Sequence, residues 1–94
     1  MIKVIKDFYI EVNVSKGVTN YIVRRGDGKK DKWGAFSDKP LAFCGTFGSA
    51  LEFIRKHFIA ESLVNVSCDL QEALRIVKTA DSEFTEILKR GGLM

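Results

Sequence analysis

Phe8-Tyr9-Ile10-Glu11-Val12-Asn13-Val14 carries an apolar side chain at every even position. Successive side chains of an extended chain point to opposite faces, so this alternation describes a strand with one buried side. Ile2 and Val4 carry the same parity toward the N-terminus, which predicts a strand over residues 2–14. Ser15-Lys16-Gly17 follows, and its glycine is free to take the left-handed conformation that closes a short hairpin. A second strand over 18–25 then returns beside the first. Two registers are open. With Val14 opposite Thr19, Val12 faces Tyr21 and Ile10 faces Val23, which joins the apolar pairs on one side. With Val14 opposite Val18, Asn20 and Arg24 turn inward. The first register is preferred.

Beyond the hairpin, Gly26-Asp27-Gly28-Lys29-Lys30-Asp31 has two glycines and no apolar residue, so an exposed, mobile loop is expected. The next ordered segment is expected over 32–44, with Trp33, Ala35, Leu41 and Phe43 on odd positions and an interruption at Ser37-Asp38-Lys39-Pro40. It reads as one interrupted strand or two short ones. Helical period takes over in 47–62, where Phe47, Ala50, Leu51, Ile54 and Phe58 recur at spacings of three and four. Thr46 or Ser49 caps its start. Leu63-Val64-Asn65-Val66 breaks that pattern. Ser67 or Asp69, the latter with Glu72 three residues on, caps a second helix over 69–90. Lys89-Arg90-Gly91-Gly92 ends it, with cations at the negative helix end and glycine to terminate.

This order predicts an α+β fold: an antiparallel sheet of three or four strands, followed by two helices packed on one of its faces. A chain of 94 residues suits a single domain over 1–94. The core is expected to hold Phe8, Ile10, Val12, Leu51, Ile54, Phe58, Leu74 and Val77.

Hydrophobic residues make up 46% of the chain and charged residues 29%, as in ordinary globular domains. Fifteen Lys and Arg against twelve Asp and Glu leave a formal charge of +3, which permits a nucleic-acid partner without arguing for one. No apolar run approaches the roughly 18 residues of a membrane span, and the N-terminal alternation is not a signal-peptide block. Cys44 and Cys68 therefore read as reduced thiols of a cytoplasmic protein.

Catalysis needs converging groups, and the inventory is thin. The lone His57 follows Arg55-Lys56 on the first helix and reads as a partly exposed helix residue. Cys44, beside Phe43, reads as an inert core thiol rather than a nucleophile. Cys44, His57 and Cys68 lack the paired spacing of a zinc clip, and the glycine loop lacks both the calcium-loop and the phosphate-loop patterns. The expectation is a non-enzyme without cofactor or metal.

Two segments remain. Arg24, Arg25, Lys29, Lys30 and Lys32 lead into Trp33, as in a surface that tracks a phosphate backbone and stacks a base; the plainer reading is a solvated loop followed by a core tryptophan. On the second helix, Leu70, Leu74, Val77, Phe84 and Leu88 recur near the heptad spacing, with Ala73, Ala80 and Ile87 widening the stripe and Asp81 its polar member. Such a stripe outruns what a small sheet covers and would serve a protein partner or a homodimer.

Glycines and lysines before Trp33, then Cys44-Gly45-Thr46-Phe47-Gly48-Ser49-Ala50-Leu51 entering a helix, and a second long helix, resemble in outline the small uncharacterised accessory proteins that phages and prophages encode. That resemblance implies stoichiometric interference with a host machine, in the host cytoplasm, by protein contact. Weak nucleic-acid binding through residues 24–33 is the alternative.

Overall fold

The computed structural model describes residues 1–91. They are ordered as β1 (Ile2–Ile5), β2 (Phe8–Ser15), β3 (Val18–Arg25), β4 (Pro40–Cys44), α1 (Phe47–Glu61) and α2 (Leu70–Arg90). The strands form one antiparallel sheet in the order β1-β2-β3-β4, and the two helices follow, an α+β arrangement. The chain divides into two compact units, Met1–Ile54 and Arg55–Met94.

In the first unit, β2 and β3 pair with Val14 opposite Thr19, Val12 opposite Tyr21 and Ile10 opposite Val23. Lys16 and Gly17, both with positive φ (52° and 77°), make the two-residue turn whose twist matches the strands. The strand expected over 2–14 is two strands. A register shift between Lys3 and Ile5 and a left-handed Lys6 (φ 51°) reverse the chain before Phe8. The strand expected over 32–44 is confined to Pro40–Cys44, because a side-chain-capped turn occupies residues 31–35 instead.

Both faces of the sheet are covered around Phe8-Tyr9-Ile10. Phe8, Ile10 and Val23 share one face, with Ala50, Leu51 and Ile54 of α1 buried in the same unit and the Phe47 ring 5.8 Å from that of Tyr21. Thr46 caps α1, its hydroxyl accepting from the Ser49 amide at 3.1 Å. Tyr9 and Ile22 lie on the opposite face and are also buried. Val12, expected in the core, is 46% exposed: parity assigns a side, and the buried cover ends short of the hairpin tip.

The outer strands differ. β1 carries Lys3 and a bulge, two devices that discourage further strand pairing. β4 is bulged beside Pro40 but uncharged, with Phe43 66% exposed.

In the second unit, the Asp69 carboxylate accepts from the Glu72 amide at 2.9 Å and caps α2. Gly91 closes the helix, its amide donating to the Ile87 carbonyl at 3.1 Å; Gly92, also expected at this end, lies outside the described residues. Phe58 and Phe84 meet with ring centroids 6.3 Å apart, and Ala80 is buried.

Candidate functional site

Two surfaces were legible as candidates in the sequence, and the structure treats them differently.

The segment from Gly26 to Lys39 is tied back over Tyr9. The Tyr9 hydroxyl donates to Asp38 Oδ2 at 2.6 Å, and the Gly28 amide donates to the same oxygen at 3.0 Å. The Arg24 guanidinium donates to the Asp38 carbonyl and, through Nε, to Glu11 Oε1 at 2.9 Å. Phe36 packs against Tyr9 at 5.4 Å between centroids. Gly26 is required here, since at φ 149° a Cβ would lie 2.0 Å from Asp38 Oδ1. Burial, and then the neighbouring Asp38 carboxylate, push the Tyr9 phenol up to about 12. The hydrogen bonds from Tyr9 and Gly28 hold the Asp38 carboxyl below its ordinary value, and Arg24 adds to this. Asp38 thus gives this loop fixed anchors where glycine content suggested free movement.

Between those anchors a second, smaller turn projects. Asp31 Oδ1 accepts from the Trp33 amide at 2.9 Å and the Ala35 amide at 3.0 Å, while the Asp31 amide donates to the Ala35 carbonyl at 2.7 Å. Lys30 bridges to Phe36 across its base, and Gly34 turns the chain at φ 82°. Trp33 stands at the tip, 80% exposed, with Lys32 Nζ 4.4 Å from its ring centroid. The core tryptophan expected from sequence is therefore a surface one: Asp31 satisfies the turn's amides locally and leaves the indole outside.

The basic segment is also divided. Arg24 is committed to Glu11, and Arg25 pairs with Asp7 at 2.7 Å. Lys29 lies 3.7 Å from Asp27 with both side chains largely exposed, a separation of little energetic weight. Lys30 Nζ stands 5.1 Å over the Phe36 ring. Of the segment's cations, Lys32 lies beside Trp33, Lys30 stands over Phe36 at the base of the turn and Lys29 lies near Asp27, while the two arginines are held by Glu11 and Asp7.

On α2 the buried residues are Ala80 and Phe84, with Ala73 half-buried, a side rotated by about 60° from the expected heptad seam at 100° per residue. Phe84 is 1% exposed and faces inward, while Leu70 and Leu74 are 76% and 57% exposed. Val77 and Leu88 are half-buried. Leu74, expected in the core, sits on the uncovered edge because it lies about 120° round the helix from Ala80, which read as a margin of the stripe and is buried. Asp81 pairs with Arg55 of α1 at 2.8 Å. Val64 and Val66, in the turns before α2, are exposed as well.

Cys44 is half-buried, Cys68 is exposed, and both are free thiols. Among the described residues no three metal-ligating side chains cluster, and no helix is long and apolar enough to cross a membrane. In comparisons with known proteins, no family model, no curated protein and no solved structure matches this chain.

Proposed function

We propose that this chain is a small non-enzymatic binding protein that acts by stoichiometric protein contact, in the manner of the phage accessory factors whose outline it resembles. The observation that supports this reading is the uncovered edge of α2, where Leu70 and Leu74 stand one turn apart in water. Neighbouring exposed leucines on one helix face offer apolar area to a partner at about 25 cal/mol per Å² buried. The occupant proposed is a second copy of the chain, since a two-fold axis lets one short strip serve both partners. Phe84 has no part in the contact, and Val77 lies at its margin.

Sedimentation equilibrium tests this reading. The wild-type chain is expected to self-associate at ~100 µM, above a micromolar dissociation constant. Leu74→Glu is expected to remain monomeric with unchanged helix content, because the side chain it replaces is already exposed. A wild-type chain that stays monomeric at that concentration overturns the self-pairing.

A further inference from the structure

We infer that the Trp33 turn is a single-stranded nucleic-acid contact, in which the indole stacks a base while Lys29, Lys30 and Lys32 meet the flanking phosphates. This site is separate from the α2 edge and stands or falls independently of it.

Three observations carry the inference. First, the indole is presented and not merely uncovered: Asp31 Oδ1 holds the amides of Trp33 and Ala35, and the Lys30–Phe36 bridge closes the base of the turn. A side chain offered on a fixed turn loses little backbone freedom on binding. Second, the immediate neighbours of Trp33 are Lys32 and Gly34, with Asp31 occupied in the turn. They suit a ligand that brings its own flat apolar face and its own negative charge. Third, the cations are arranged around the aromatics, with Lys32 Nζ 4.4 Å from the Trp33 centroid and Lys30 Nζ 5.1 Å from that of Phe36.

A nucleobase satisfies the indole and a phosphodiester satisfies the lysines. The base must be unstacked to reach the ring, which selects a single strand over a duplex. Arg24 and Arg25 take no part, being held by Glu11 and Asp7.

Trp33 is the only tryptophan in the chain, so its emission reports on this site alone. Titration of the full chain with oligo(dT) at low salt is expected to quench Trp33 fluorescence to saturation. With three lysines engaged, the affinity is expected to fall with salt at a log–log slope of about −2, near −0.7 per phosphate. By anisotropy of labelled oligo(dT), Trp33→Ala should weaken binding by roughly five- to a hundredfold, the range for loss of one stacked base. Lys30→Ala with Lys32→Ala should flatten the salt slope, and Lys30→Arg with Lys32→Arg should retain it. Leu74→Glu should leave this binding unchanged. Absence of quenching at low salt overturns the inference. So does binding to polyglutamate as tight as to oligo(dT), which would reassign the turn to an acidic protein surface.

Discussion

Ile10 and Val12 look equivalent in the alternation of β2, and their environments are opposite. Ile10 is fully buried, so Ile10→Ala is expected to cost about 2–5 kcal/mol in chemical denaturation, whereas Val12→Ala should cost under about 1 kcal/mol. Tyr9 was legible only as the wrong parity for the core. Its burial comes from Phe36 and Asp38, 27 and 29 residues along the chain by number, and no local period encodes a loop that folds back. This cluster sets a pH window. The Asp38 carboxyl, lowered in the folded state, contributes stability that is present at neutral pH and lost as pH falls through its folded value. The Tyr9 phenol, raised to about 12, contributes stability that is complete below the ordinary phenol value of about 10 and lost as pH rises to about 12. Glu11 and Arg24 face the same cluster. The protection of the Gly28 amide, its exchange relative to the intrinsic rate at each pH, is expected to fall as the Asp38 carboxyl protonates, and Asp38→Asn should remove this acid limb.

Helix α2 shows how far periodicity reaches. Its start was readable to within two residues, as a cap at Ser67 or Asp69, because a cap is a local hydrogen bond, and Asp69 is the one that forms it. Its apolar stripe was readable too, but which part of a wide stripe turns inward depends on what it meets: Phe84 and the small Ala80 are buried, while Leu70 and Leu74 are not. Phe84→Ala is accordingly expected to cost about 3–5 kcal/mol, and Leu74→Ala under about 1 kcal/mol, by urea denaturation of the full chain. The turn at Asp31 was the converse failure. An aspartate two residues before an aromatic carries a turn signal, yet the odd-position apolars around Trp33 carry a strand signal over the same residues.

The pairing of β2 with β3, the preferred one of its two registers and the succession of sheet then helices were legible in alternation, glycine placement and caps, which act between near neighbours in the chain; the break of residues 2–14 into two strands was not. The tie of Asp38 to Tyr9, the pairing of Arg24 and Arg25 with acidic partners, and the exposure of Trp33 were not, since each depends on which distant segments meet. One feature of the sheet bears on handling the protein. Along β4, Leu41 to Cys44 is uncharged, shielded by proline and a bulge at one end only, and it shows Phe43 to water. In a concentrated solution such a rim is a seed: extended chain from a partly opened neighbour can lie along it, and each addition presents the next rim. Fibre formation would therefore start here, and its lag would lengthen with dilution or with a lysine in place of Phe43.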